Sequence, residues 1–277
     1  MYREGRTPTH LTVASATHQG LKRKFNLDAY FITDFQQCLA RDPFQGVGPV
    51  WGQQGVGLVL LSGHLLDWSR GPAAAERSVA QGFKNAWVAA ESLLRGLTSE
   101  SLPTEENALR NKLTAVTSAT ASAVGSCALD QRFSDTAVSV TIAVIQNGRL
   151  DIVQAGDTRA YVVRGPVIAE LSRGDTLVAP AGLPGSASAM PVTTVPLGVP
   201  HPMPPFYMTT DFAPGDGLIL ASRGVSSVVL PPQLLQMLYD ARDPGVACKM
   251  IVDKAVQARG EHNVTCIIAT PTWTQPQ

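Results

Sequence analysis

Residues 135–164, DTAVSVTIAVIQNGRLDIVQAGDTRAYVVR, decide the fold of this chain. Every second residue from Val138 to Val144 is apolar, which is the period of a half-buried strand. Asn147-Gly148 then supplies the positive backbone torsions of a type I′ hairpin turn. A second tight turn at Gly156-Asp157 leads into another apolar segment at residues 160–163. The stretch therefore predicts three consecutive strands joined by tight turns.

The length and charge of the chain bound what it can be. A chain of 277 residues can bury a full core, and we expect one domain over residues 1–277, with residues 1–10 flexible. Hydrophobic residues make up 44% and charged residues 16%, which is typical of an ordered protein. Lys+Arg and Asp+Glu both number 22, so the net charge of zero predicts neither a nucleic-acid nor a membrane partner.

Cysteine spacing and apolar runs bear on the compartment. The four cysteines lie far apart with no C-x-x-C pair, which favours reduced core thiols over disulfides or zinc ligands (Cys38, Cys127, Cys248, Cys266). No apolar window reaches the ~18 residues of a membrane span, and the N-terminus lacks the apolar segment of a secretion signal. These features favour a cytoplasmic protein.

The rest of the chain alternates strand runs with helical stretches. Strands are predicted at residues 11–14, 29–32, 56–61, 206–212, 218–221 and 264–269, and helices from Pro72, from Thr104, and near residues 232–239 and 245–259. Residues 180–206 hold eight of the 20 prolines, which predicts an extended surface excursion. Strands joined by hairpins, with helix pairs between them, favour an α+β fold of two packed antiparallel sheets flanked by helices.

Five ordered motifs identify a related family. They are residues 17–29 (THQGLKRKFNLDA), 58–63 (LVLLSG), 155–161 (AGDTRAY), 214–224 (PGDGLILASRG) and 260–265 (GEHNVT). In order and spacing they resemble the motifs of the metal-dependent protein phosphatases (PPM, type 2C). The resemblance implies a four-layer α-β-β-α sandwich. It also implies hydrolysis of serine and threonine phosphates by two Mg²⁺ or Mn²⁺ ions, held by aspartates of A-D-G, S-D-G and x-D-N.

The resemblance breaks down at the metal ligands. Ser62, Arg223 and His262 stand where the family keeps those three aspartates, and Leu27 and Gly174-Asp175 replace further functional positions. Matching positions are Arg23, which corresponds to the phosphate-binding arginine, and three vestiges of the metal site (Asp28, Gly63, Asp157). The Pro-rich segment replaces a longer helical flap, which leaves substrate selection by that segment in question.

The substitutions predict that catalysis is lost. Hard divalent ions need carboxylates and carbonyls, and the Arg223 guanidinium cannot lose its proton to accommodate a dication. We therefore expect no metal cofactor and interpret the chain as a bacterial pseudophosphatase, a binding module in phospho-signalling. Its expected partner is a signalling protein or kinase, in phosphorylated or unmodified form. Two alternatives remain: an active phosphatase with unorthodox metal ligands, and a purely structural interaction module.

Several site residues allow two interpretations. Asp157 is either a site acid or a turn residue, and Arg23 faces the cleft or is a solvated charge in the run Lys22–Lys24. Arg223 either joins Arg23 in holding a phosphate or forms an ion pair with Asp28 or Asp157, and we favour the ion pair. A transition-metal site is a further alternative, because imidazole suits Zn²⁺; its ligands would be His18, His64, His262 and Asp28.

Overall fold

The computed structural model describes residues 10–23, 25–34, 39–40, 56–65, 88, 105–130, 136–146, 148–172, 205–213, 215–258 and 261–272. Within these ranges the strands are β1 (His10–His18), β2 (Asp28–Asp34), β3 (Leu39–Ala40), β4 (Val56–Leu65), β5 (Thr136–Gln146), β6 (Arg149–Ala155), β7 (Arg159–Arg164), β8 (Val167–Glu170), β9 (Phe206–Asp211), β10 (Gly217–Ala221) and β11 (Val264–Thr272). The helices are α1 (Glu106–Asp130), α2 (Arg223–Ser226), α3 (Pro231–Ala241) and α4 (Pro244–Ala258).

These strands form two antiparallel sheets. One has the order β1-β11-β10-β7-β8 and the other β3-β2-β4-β5-β6-β9. The predicted hairpin between β5 and β6 is present, with Gly148 at φ +73° and Gln146 paired with Arg149. After Gly156 (φ +89°) the chain leaves β6 and enters β7 in the other sheet. The second predicted turn is thus a crossing between sheets.

Three apolar layers separate the sheets and helices. The central layer lies between the two sheets and includes Leu60 and Leu218, both fully buried. An outer layer joins α1 to the six-stranded sheet through Leu109 and Leu113. The other outer layer joins α3 and α4 to the five-stranded sheet. The alternating pattern of β5 follows from this arrangement, since Val140 faces α1 whereas Ala143 faces the other sheet.

Most predicted elements are confirmed, with corrections at their ends. The helix predicted from Thr104 begins at Glu106, and β1 starts at His10, which pairs with Thr272. Because that pairing orders the backbone, the predicted flexible segment is wrong at His10; residues 1–9 lie outside the description. The helix predicted from Pro72 also lies outside it, apart from Val88, which is helical, as does most of the Pro-rich excursion. Strands β3 and β8 and helix α2 are too short for periodicity to predict.

Two of the cysteines are buried free thiols, as predicted. Cys248 on α4 and Cys266 on β11 lie in the layer between that helix and the five-stranded sheet. Burial raises the pKa of the Cys248 thiol well above its ordinary value. The thiol is therefore protonated near neutral pH and acts as a small apolar group. No helix in the described part of the chain is long and apolar enough to span a membrane.

Candidate functional site

A row of polar side chains crosses one end of the six-stranded sheet. Asp28 on β2 is paired with Ser62 on β4, and Ser62 with Ser139 on β5. The Ser62 hydroxyl donates a hydrogen bond to Asp28 Oδ1 at 2.6 Å, and both side chains are buried. A short hydrogen bond of this kind offsets part of the cost of burying the Asp28 carboxyl group, at its Oδ1 atom.

Asp157 extends this row from the β6–β7 turn. The Ser139 hydroxyl donates to Asp157 Oδ1 at 2.8 Å and accepts a hydrogen bond from the Asp157 amide at 2.9 Å. The turn lies so close to β5 that a Cβ on Gly156 would be 2.0 Å from Ser139 Oγ. Asp157 is therefore both a turn residue and a member of the polar row, which we define as Asp28, Ser62, Ser139 and Asp157.

Arg223 reaches the polar row from the opposite sheet. It begins α2 directly after β10, and its Nη1 lies 3.6 Å from Asp157 Oδ2. This distance describes an ion pair and exceeds the usual range of a hydrogen bond. Both side chains are partly exposed, 30% for Arg223 and 20% for Asp157. The predicted ion pair is present, with Asp157 as its acid.

The backbone after Arg223 is held by close packing. A Cβ on Gly224 would lie 2.1 Å from the carbonyl oxygen of Asn263, so a side chain larger than hydrogen does not fit. Ser222 is bonded to β11 as well, because its amide donates to the Thr265 carbonyl and its hydroxyl accepts from the Thr265 amide. These contacts fix where the Arg223 side chain begins.

Asn263 organises the other wall of the site. Its Oδ1 accepts the Leu27 amide at 3.0 Å, and its Nδ2 donates to the carbonyls of Gln19 and Phe25, both at 2.8 Å. The three bonds tie down residues 19–27, which we call the site loop; residue 24 within it lies outside the description. Asn26 adds a local bond, since its Oδ1 accepts the Asp28 amide at 3.1 Å. The loop thereby sets the entry into β2 and the position of Asp28.

Arg23 projects from the site loop toward residues 261–262. Its Nε donates to the Glu261 carbonyl at 2.9 Å, and its Nη2 lies 3.4 Å from His262 Nδ1. Because a guanidinium only donates, His262 Nδ1 acts as the acceptor in this contact. His262 precedes Asn263, whose carbonyl oxygen packs against Gly224, so the segment that Arg23 contacts lies next to the backbone that follows Arg223. Each of the two arginines is partly exposed.

Two of the three histidines in the proposed transition-metal site, His18 and His262, have described side chains. His18 Nδ1 accepts the Gly20 amide at 2.9 Å, which leaves this nitrogen engaged within its own turn. The side chain of His64 lies outside the described residues, and Gly63 lies on β4, paired with Val138 on β5. Across the described ranges, no three His, Cys, Asp or Glu side chains lie together in a metal-binding arrangement.

The donor chemistry of the polar row does not fit two hard divalent ions. Asp28 accepts a hydrogen bond from Ser62, and Asp157 accepts one from Ser139 while lying beside Arg223. A divalent ion at Asp157 would face a permanent positive charge at short range. The Arg223 guanidinium offsets the charge of Asp157, and the serine hydroxyls donate hydrogen bonds to Asp28 and Asp157.

Comparison with solved structures reveals the same architecture in a group of enzymes. The catalytic domain of the serine/threonine phosphatase PstP, solved with two manganese ions, matches with a TM-score of 0.66 and 21% identity over 94% of this chain and 98% of that chain. The chain has the fold of the PPM-type serine/threonine phosphatases. The Streptococcus agalactiae serine/threonine phosphatase matches with a TM-score of 0.70 and 15% identity over 95% of this chain and 100% of that chain. A PPM Ser-Thr phosphatase from Mycobacterium smegmatis, solved with cacodylate, matches with a TM-score of 0.60 and 19% identity over 95% of this chain and 100% of that chain.

No protein-family model and no curated protein sequence matches the chain. The PPM-like fold predicted from the five motifs is confirmed, and so is the α+β class with two antiparallel sheets. Sequence reasoning missed Ser139 and the clamp made by Asn263. Ser139 could have been found from strand register, because Ser62 and Ser139 are paired across β4 and β5. The Asn263 bonds to the site loop carry no sequence signal beyond the Asn of the last motif.

Proposed function

We propose that this PPM-like domain is a pseudophosphatase that binds a phosphorylated protein segment without hydrolysing it. The observation that carries the proposal is the ion pair between Arg223 and Asp157, together with the Ser62–Asp28 hydrogen bond. Hydrolysis of phosphate monoesters requires an acceleration on the order of 10²¹, which metal ions assist by producing hydroxide and neutralising phosphate oxygens. The polar row and the two arginines support phosphate binding in place of metal-assisted hydrolysis.

Arg23 and Arg223 are the proposed phosphate ligands. Guanidinium groups bind phosphate through paired charge-assisted hydrogen bonds. Arg23 contacts residues 261–262, and Gly224, which follows Arg223, packs against Asn263. A phosphate that reaches Arg223 would compete with Asp157 for the guanidinium, so the ion pair holds the guanidinium in place until a ligand arrives. The partner we propose is a signalling protein or kinase that carries such a phosphate. We place this interaction in the cytoplasm, where thiols such as Cys248 stay reduced.

Two measurements test the proposal. Wild-type protein should not hydrolyse p-nitrophenyl phosphate or a phosphoserine peptide in Mn²⁺ or Mg²⁺. The peptide should bind, and Arg23→Ala should weaken binding by about 10- to 100-fold, since a hydrogen bond to a charged group contributes about 1.5–3 kcal/mol. Lys249→Ala, which removes one positive charge from the exposed surface of α4, is the matched control and should bind like wild type.

Two results would reject the proposal in different directions. Turnover that disappears on chelation would show an active phosphatase with unorthodox ligands. Negligible phosphopeptide binding by wild type and Arg23→Ala alike would favour a structural module whose cleft is irrelevant.

A further inference from the structure

One edge of the five-stranded sheet is formed by β8, the last strand in its order. Among the described strands β8 pairs only with β7, and their register runs from Arg164 opposite Val167 to Tyr161 opposite Glu170. The pairing is continuous, so no bulge twists this edge away from a neighbour. A sheet edge presents backbone groups that can pair with another strand. The edge of β8 is therefore a candidate interaction surface.

The hydrogen-bond pattern identifies which backbone groups of β8 face outward. The Leu171 amide donates to the Ala160 carbonyl at 2.8 Å. Along an antiparallel ladder, residues that bond to one neighbour alternate with residues directed away from it. Ile168 and Glu170 therefore direct their amides and carbonyls away from β7. Pro166, one alternation earlier, has no amide and offers only its carbonyl.

The side chains along this edge are apolar and accessible. Val167 is 58% exposed, Ala169 is exposed, and Ile168 packs in part against the layer beneath α3 and α4. Tyr239 of α3 is 49% exposed, and its hydroxyl donates to the Gly165 carbonyl at the turn before β8. This bond holds an aromatic ring beside the hairpin. Aromatic side chains are enriched at protein interfaces, and charged ones are depleted at their centres.

The charges that bound this edge are paired within the chain. Arg164 Nε lies 2.9 Å from Asp216 Oδ2, and Arg159 Nη1 lies 2.9 Å from Glu170 Oε1. The chain has 22 basic and 22 acidic residues, so two copies do not repel one another through net charge. An edge whose charges are already matched does not select an acidic or a basic segment of another protein. It favours an equally apolar strand, and β8 of a second copy is such a strand.

We propose that two copies of this protein form a symmetric dimer in which their β8 strands pair antiparallel across a two-fold axis at Ile168. In this register Ile168 faces its own counterpart, and Glu170 faces Pro166 of the second copy. The Ile168 amides and carbonyls form reciprocal bonds, and each Glu170 amide donates to a Pro166 carbonyl, the group that proline keeps. Val167 of each copy faces Ala169 of the other, apolar against apolar.

The position of the axis follows from charge. Pairing about Ala169 would set Ile168 against Glu170 and bring the two glutamates closer together, whereas pairing about Ile168 places them at opposite ends of the paired segment. A two-fold contact of this kind closes on itself, so we expect dimers and no fibres. Because β8 has only four residues, the dissociation constant should be on the order of 10 µM. The inference is independent of phosphate binding.

Sedimentation velocity of the full chain tests the dimer, at concentrations from about tenfold below to about tenfold above this value. Wild type should pass from monomer to dimer. Val167→Lys/Ala169→Lys should raise the dissociation constant by about tenfold or more, because it opposes positive charges across the axis. Leu230→Lys/Val246→Lys adds the same charge at exposed apolar side chains before α3 and on α4, and it should dimerise as wild type does. Far-UV circular dichroism should be unchanged in both variants.

Disulfide trapping tests the register without charged substitutions. Val167 and Ala169 of the two copies would form a non-hydrogen-bonded pair with Cα atoms about 4.5 Å apart, within the range that a disulfide spans. A mixture of Val167→Cys and Ala169→Cys proteins should therefore give linked dimers under mild oxidation. Either variant alone should give no more than wild type, because like residues are diagonal neighbours about 7–8 Å apart.

Other outcomes would overturn the inference, and the proposed function would stand in each case. Wild type that stays monomeric at every concentration would leave the edge to a strand of another protein. If Val167→Lys/Ala169→Lys dimerises as wild type does, the contact lies elsewhere on the surface. Equal trapping in the mixture and in either variant alone would contradict the axis at Ile168. Assemblies that grow beyond two copies would contradict a closed two-fold contact.

Discussion

Arg223 Nη1 lies 3.6 Å from Asp157 Oδ2, so a guanidinium at the start of α2 offsets the charge of an acid at the turn that joins the two sheets. The pair connects the end of β10 to the β6–β7 turn, and Ser139 holds the other carboxylate oxygen. A site whose acids are matched by hydroxyls and a cation can fold without a metal ion, whereas clustered acids alone repel one another. The ion pair at this position offsets the charge of Asp157 within the fold.

The first prediction concerns the strength of this ion pair. A double-mutant cycle with Arg223→Gln and Asp157→Asn should give a coupling free energy of about 0.5–1 kcal/mol, the range for partly exposed pairs. This coupling free energy should fall as salt is added, because salt screens the two charges. Urea unfolding measures it. Lys249→Gln and Asp253→Asn form the control cycle, since this exposed i,i+4 pair should couple by about 0.3–0.5 kcal/mol. A coupling of zero at the Arg223 pair would show that the contact contributes nothing to stability.

The sequence predicts the fold more fully than it predicts the contacts within the site. Alternation and turn residues predict β5 and its hairpin because both signals are local. The Arg223–Asp157 pair is predictable because a retained acid and a new cation occupy positions that the motifs bring together. The bond from Ser139 to Asp157 is not, since it depends on the approach of the Gly156 turn to β5, which packing sets. Short elements such as α2 likewise depend on tertiary contacts and not on periodicity.

The second prediction concerns metal ions. Mn²⁺ and chelators should leave the free energy of unfolding of wild type unchanged. The triple variant Ser62→Asp/Arg223→Asp/His262→Asp should be less stable than wild type without metal and should gain about 2.7 kcal/mol when Mn²⁺ is present at 100 times its dissociation constant. The control replaces the same residues by asparagine, which supplies polar side chains without charge and should show no such gain. Stabilisation of wild type by Mn²⁺ would contradict the donor chemistry of the polar row.

The third prediction concerns the packing of Gly224. Gly224→Ala should lower the free energy of unfolding by about 2–3 kcal/mol or more, because the added methyl group overlaps the Asn263 carbonyl oxygen and the chain must move. Gly217→Ala is the matched control, since its Cβ would meet no atom closer than 3.7 Å, and it should change stability by less than about 1 kcal/mol. Urea midpoints compare the two. Equal effects would mean that the contact of Gly224 with β11 is not tight.

The fourth prediction concerns the clamp on the site loop. Asn263→Ala removes an acceptor for the Leu27 amide and a donor for two carbonyls, so it should lower the free energy of unfolding by about 1–3 kcal/mol. Amide hydrogen exchange at Leu27 should become faster, because its hydrogen bond is lost, whereas exchange in α4 should change no more than the global stability requires. Gln236→Ala, which breaks an exposed side-chain bond to Asp240, should change neither quantity appreciably. If the Leu27 amide stays protected from exchange in Asn263→Ala, other contacts hold the site loop. The position of Arg23 on that loop then does not depend on Asn263.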